Sequence, residues 1–181
     1  PDSSGKDLIK RVIAVEGQRV RLRDNRLYID GKLVPRKVLQ GSGSCGTDQA
    51  SAFRCNVAQE CLGGFVYTTQ HHVSAVDGEP SLTNSPDWPF PPGEEGNYGP
   101  QAQAYASAEN KDWPDFVVPK GQLFVMGDNR DNSKDGRFFG LVPLNTVKGK
   151  AGIRWYATDT GRIGEFIHTE TADGTCGSFL P

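Results

Sequence analysis

Apolar and polar residues alternate along the first part of the chain with the period of a strand. Leu8-Ile9-Lys10-Arg11-Val12-Ile13-Ala14-Val15 is rich in β-branched residues, and Arg19-Val20-Arg21-Leu22-Arg23 alternates strictly. Three arginines then share one sheet face, with Val20 and Leu22 on the other. Such an arginine stripe reads as a solvated face rather than an anion or lipid-headgroup site. Turn signals stand at Asp24-Asn25 and at Asp30-Gly31, a favoured type I′ pair, on either side of Arg26-Leu27-Tyr28-Ile29. A β-meander follows as far as Pro35. Between residues 36 and 114 Gly, Ser, Asn, Asp and Pro dominate, and only Gly64-Phe65-Val66-Tyr67-Thr68-Thr69 reads as a strand. The run Ser85 to Gly93 reads as an ordered loop pinned by Trp88 and Phe90, because no repeat supports a proline-rich ligand. Strand pattern returns in Asp115 to Pro119, Gln122 to Met126 and Lys150 to Tyr156. No amphipathic helix longer than about ten residues is evident. The fold class is therefore mostly β: an antiparallel core from residues 1–35 plus 115–181, with residues 36–114 inserted as a loop-rich β subdomain.

Composition narrows the picture. Over 181 residues, 22 Gly and 12 Pro make about 19%, below the roughly 25–30% that marks low-complexity disorder. With 20 basic against 22 acidic residues the net charge is −2, so the positive field that nucleic acid requires is missing. No stretch reaches the roughly 18–20 apolar residues of a membrane span. The opening Pro1, with neither Met nor an apolar leader, reads as the start of a fragment or processed form. Cys45, Cys55, Cys61 and Cys176 form no CxxC pair and no zinc-type cluster with His71, His72 or His168. No metal site is expected. Two disulfides are, which points to an oxidising compartment. Three connectivities are open; the short spacing favours Cys55 with Cys61, leaving Cys45 to tie the insertion to Cys176.

The chemistry concentrates in Gly127-Asp128-Asn129-Arg130-Asp131-Asn132-Ser133-Lys134-Asp135-Gly136-Arg137-Phe138-Phe139-Gly140-Leu141-Val142-Pro143. Acids and arginines alternate there in a tight loop that bidentate ion pairs can fix. A calcium hand is excluded, because its sixth position from Asp128 is Ser133 rather than Gly and no Glu follows before Val142. This block resembles the last signature box of the type I signal peptidases, membrane-bound Ser–Lys proteases that remove leader peptides from exported proteins. A second block, Lys10-Arg11-Val12-Ile13-Ala14-Val15-Glu16-Gly17-Gln18-Arg19-Val20, resembles the family's lysine box, and Leu27 to Gly31 resembles the hairpin that follows it.

The resemblance implies a role for each matching residue. Lys10 stands where the family has its general base, whose amine must be neutral to accept a proton, the form that burial favours in a lysine. Ser133 stands where a serine orients that lysine, and Arg11, Asp128, Asp135 and Arg137 match supporting ion pairs. The family's nucleophile is a serine in a Ser-x-x-Pro-like box that follows the membrane anchor and precedes the lysine box. Nine residues precede Lys10 here, and Ser3 and Ser4 have no such Pro after them, so anchor and nucleophile are expected to lie outside this chain, leaving it inactive alone. Ala14, Glu16 and Gln18 replace the usual Gly, Pro and Asp, and Gly136 replaces a common Ser.

The implied function is the extracytoplasmic part of a Ser–Lys serine endopeptidase at the bacterial inner membrane, acting on preprotein signal peptides without a cofactor. The alternative is a peptide-binding or scaffolding paralogue that has lost the nucleophile; an upstream reading frame with an apolar span and a Ser-x-x-Pro box separates the two. Self-cleaving repressors, which also use Ser and Lys on a β-core, lack the Asp-Asn-Arg loop.

Overall fold

The computed structural model describes residues 7–23, 25–44, 54–72, 88–89, 115–153, 164, 167, 170–171 and 176. Among them the chain is built from strands in three antiparallel sheets. In chain order these are β1 (Arg11–Val15), β2 (Arg19–Arg23), β3 (Arg26–Ile29), β4 (Lys32–Leu33), β5 (Arg36–Ser44), β6 (Arg54–Leu62), β7 (Phe65–His72), β8 (Phe116–Val117), β9 (Gln122–Met126), β10 (Val142–Pro143) and β11 (Glu170–Thr171). One four-residue helix, α1 (Gly136–Phe139), follows β9.

The meander forms as its pattern dictates. In the sheet of order β4-β3-β2-β8, Val20 and Leu22 are buried while the arginines of β2 face outward. Asp30 and Gly31 close the β3–β4 turn with φ of 51° and 76°, the doubly positive geometry of a type I′ hairpin. The arginine face is occupied from within: Arg21 pairs with Asp115 at 3.3 Å and lies over the Tyr28 ring, and Arg23 donates to the Leu22, Trp88 and Pro89 carbonyls. Trp88 inserts into the core. Its backbone exchanges hydrogen bonds with Leu22, and its ring packs 4.8 Å from Phe116 and 4.3 Å from Phe124. Ile13, Val20, Leu22, Leu27, Phe124 and Met126 pack in this same cluster. Phe90, the second expected pin, lies outside the described residues.

The smallest sheet, of order β1-β9-β10, positions the site. Arg11 faces Met126 and Val12 faces Val125, and after a bulge Ala14 faces Phe124. Lys10, just before β1, therefore stands opposite Gly127, just after β9. The strand expected from Leu8 starts at Arg11, and the one expected at Lys150 to Tyr156 shows only a single bridge at Ile153 before the described residues end.

Over residues 36–44 and 54–72 the structure is more regular than the sequence suggests. Two nine-residue strands, β5 and β6, join β7 and β11 in a sheet of order β11-β7-β6-β5. The inward positions of its central hairpin include Glu60, Thr69 and His71, so alternation of burial is present without alternation of hydropathy, and a reading based on apolar periodicity passes over it.

Among the described residues a disulfide joins Cys61 to Cys176, with Cα atoms 5.8 Å apart. This overturns both expected pairings, Cys55 with Cys61 and Cys45 with Cys176. Cys55 and Cys61 lie on the same strand, β6, and at about 3.3 Å per residue six positions span roughly 20 Å, far beyond disulfide reach. Cys45 lies outside the described residues. The bond closes a loop with a separation of 115 residues, so Cys176→Ser should lower the free energy of unfolding by about 2–4 kcal/mol. Urea titration reads that loss, and mass mapping of a non-reduced digest should return one peptide linking Cys61 to Cys176.

Candidate active site

Lys10 Nζ donates to Ser133 Oγ at 2.9 Å, although 123 positions separate the two residues. The β1–β9 pairing brings Lys10 to the end of β9, and the loop after Gly127 returns Ser133 over the same point. There is no spare room there. A Cβ on Gly127 would overlap Ser133 Oγ, lie 2.5 Å from Ser133 Cβ and come within 3.5 Å of Lys10 Nζ. Glycine at 127 is thus a steric requirement of the Lys10–Ser133 approach.

Ion pairs fix the loop on both sides. Arg11 grips Asp128 in a fork of 2.7 and 2.8 Å. Asp135 and Arg137, both fully buried, pair through two contacts of 2.9 Å. Asp135 also accepts from the Gly127 N–H at 2.8 Å and caps α1 by accepting from the Arg137 N–H at 3.2 Å. Burial alone would raise the Asp135 carboxyl, but hydrogen bonds from Arg137, the Gly127 amide and Ser133, with the charge of Arg137, hold it below the ordinary carboxylate range. Ser133 therefore links the Lys10 amine to an anchored carboxylate. All six residues that the two sequence blocks nominate, Lys10, Arg11, Asp128, Ser133, Asp135 and Arg137, meet at this one place.

The chain matches the family described as Signal peptidase, peptidase S26, over residues 1–156. It belongs to that family. Similar proteins include the Signal peptidase I of Aquifex aeolicus, 60% identical over 42 residues that make up 23% of this chain and 16% of that protein. The Signal peptidase I of Pseudomonas aeruginosa is 26% identical over 166 residues, 86% of this chain and 45% of its own length. The Signal peptidase IB of Staphylococcus aureus (strain Mu50) is 24% identical over 169 residues, 93% of this chain and 61% of its own. This signal peptidase family chain thus spans at most about three-fifths of the length of these relatives. Its Gly136, which departs from the Ser common at the matching position, has a steric reason: a Cβ there would lie 2.7 Å from the Val125 carbonyl oxygen and 3.0 Å from the Phe124 ring. Among the described residues no helix is long and apolar enough to cross a membrane.

Sequence reasoning missed a second tier beneath the loop. Arg130, 3% exposed, forks onto Glu60, 2% exposed, at 3.1 and 2.7 Å, and its Nε donates to the Gly127 carbonyl at 3.2 Å. Burial opposes the Arg130 charge, but Glu60 outweighs it and the guanidinium pKa is raised. Tyr67, opposite Glu60 across β6–β7, donates its hydroxyl to Glu60 at 2.9 Å, and Arg11 lies 4.1 Å over its ring. Burial and the Glu60 charge push the Tyr67 hydroxyl pKa up, which keeps it a donor. The sequence signals for this tier are Arg130, within the charge-alternating loop, and a lone Glu in a strand otherwise short of charge.

His71 belongs to the same buried layer. The Asn25 amide donates to its Nδ1 at 3.4 Å, so its Nε2 carries the proton and donates to Thr69 Oγ1 at 3.0 Å. Burial, helped by the charges of Arg36, Arg130 and Arg137, lowers its pKa from 6.5 to about 3. Between those values the unfolded chain binds a proton that the folded chain refuses, so stability falls as pH drops from 6.5 towards 3, by up to about 1.4 kcal/mol per unit. Urea midpoints at pH 7, 6 and 5 should decline in the parent chain and stay nearly level in His71→Gln. Equal slopes in both would show that His71 takes up its proton while folded.

Proposed function

We propose that this chain is the extracytoplasmic catalytic portion of a leader-peptide-cleaving serine endopeptidase of the Ser–Lys type, with Lys10 as general base. The 2.9 Å approach of Lys10 Nζ to Ser133 Oγ, inside a loop fixed by buried ion pairs, carries this reading. Family membership and the names of the relatives support the substrate class, preprotein signal peptides. In this reading the nucleophile is the serine of the family's Ser-x-x-Pro-like box, and residues 36–114 act as an insertion in the catalytic core.

In the reaction, the serine hydroxyl attacks the carbonyl carbon of the scissile bond while Lys10 Nζ takes its proton. The tetrahedral intermediate collapses as the Lys10 ammonium returns that proton to the leaving amine. Water then attacks the acyl-enzyme, again deprotonated by Lys10, and releases the leader's new carboxylate with the serine restored. Ser133 orients the amine by accepting one of its hydrogens, and Asp135 holds Ser133. No histidine or metal is needed for this chemistry. The disulfide supports placement on the extracytoplasmic face of the bacterial inner membrane, where thiols oxidise.

Three preparations test the proposal with a peptide spanning a leader cleavage junction with small residues. The full-length protein should cleave it, and Lys10→Ala in that protein should lose at least about 100-fold in kcat with its fold intact. The 181-residue chain alone should be silent. A fully active Lys10→Ala enzyme would remove Lys10 as the base, and turnover by the isolated chain would place the nucleophile within it.

A further inference from the structure

The β6–β7 hairpin reaches the candidate active site by two routes that start from one cross-strand pair. Glu60 and Tyr67 are direct partners in the β6–β7 register. The Glu60 carboxylate receives both the Arg130 fork and the Tyr67 hydroxyl. On the first route, Arg130 Nε donates to the Gly127 carbonyl oxygen, while Gly127 N–H donates to Asp135. The Gly127 peptide groups are thereby held from both sides, at a residue against which Ser133 Oγ and Lys10 Nζ pack. On the second, the Tyr67 ring supports the guanidinium of Arg11, which forks onto Asp128 next to Gly127. Main-chain bonds complete the attachment: Gln70 N–H donates to the Asp128 carbonyl at 2.8 Å, and Arg130 N–H donates to the Gln70 carbonyl at 2.9 Å. Arg137 Nη2 donates to the Arg130 carbonyl at 2.6 Å, joining this tier to the Asp135 pair.

We propose that Glu60, supported by Tyr67, is a positioning residue for the Lys10–Ser133 pair, acting through Arg130 on the Gly127 carbonyl. The proposal rests on the reading of Lys10 as the base. Glu60 does not touch the reacting atoms. Its carboxylate fixes where the Arg130 guanidinium lies, and that guanidinium fixes the height of the Gly127 peptide beneath Ser133. A general base must be held within a few tenths of an ångström of its productive position, and a misplacement of about 1 Å costs on the order of 100-fold in rate. The hairpin that carries Glu60 and Tyr67 thus belongs to the catalytic apparatus without contributing a catalytic residue.

Glu60→Gln in the full-length protein keeps the shape of the side chain and removes its charge. We expect kcat for the leader-junction peptide to fall about 10- to 100-fold with KM changed less than about twofold. Because the single change leaves the Arg130 charge buried without its partner, Glu60→Gln with Arg130→Gln is the companion variant. It should unfold at a higher temperature than Glu60→Gln, since breaking a buried pair destabilises more than removing both charges, while kcat stays low. Recovery of kcat together with stability would reduce Glu60 to a structural role and overturn the proposal, as would wild-type kcat in Glu60→Gln.

A readout independent of turnover separates this proposal from the function it rests on. In the parent protein, NMR should show a through-space contact between the Lys10 ε-methylene and the Ser133 β-methylene, lost in both variants. Its persistence in the double variant would overturn the positioning role whatever the activity. A parent protein that shows the contact but cleaves no leader peptide would sink the proposed function, and loss of the contact in the variants would still uphold the Glu60 role.

Discussion

A side chain at position 127 would occupy the place of the Ser133 hydroxyl, and the arrangement of the site follows from that lack of room. Because residue 127 carries only a hydrogen, the loop after β9 can fold back onto the strand end and set Ser133 Oγ against the Lys10 amine. Close approach of this kind leaves the backbone with polar groups that must be satisfied where water is excluded. Asp135 meets the Gly127 N–H and Arg130 meets its carbonyl. Each of these buried charges then requires an opposite one, Arg137 for Asp135 and Glu60 for Arg130. One steric constraint thus propagates into two buried ion pairs and recruits a neighbouring sheet.

Buried pairs of this kind are weak arguments for stability, because desolvating two ions offsets most of their attraction. What they provide here is geometry. A forked guanidinium–carboxylate contact defines a plane and a distance together, and two such forks meet the loop from different elements, one within α1 and its cap and one from β6. A loop held only by apolar packing could slide along β9 while burying the same area. With Arg137 donating to the Arg130 carbonyl as well, the two pairs are joined and the loop has one seating.

The meander, the β9 strand and the two turns at Asn25 and Asp30 were legible because local pattern and burial agree there: Val20 and Leu22 face the core and the arginines do not. The Lys10–Ser133 approach could not be derived from periodicity, since it depends on the pairing of strands more than a hundred positions apart; it was reached through the resemblance of two blocks. The β5–β6 hairpin was unreadable for a different reason. The sheet those strands form with β7 turns Glu60, Thr69 and His71 inward, residues that sequence logic assigns to the surface. The cysteine reading failed on the same strand, because a short spacing favours a loop closure only when the intervening chain turns, and residues 55 to 61 run straight.

The tie between Cys61 and Cys176, with β11 laid along β7, has a consequence for the order in which this molecule assembles. Lys10, the meander and the β6–β7 hairpin all precede the Gly127 to Pro143 loop in the chain. The last strand of the hairpin's sheet and its covalent fastening come from residues 170 to 176. The sheet bearing Glu60 gains its edge strand and covalent tie from residues that follow every site residue in sequence, so it is locked only after the whole site has been made.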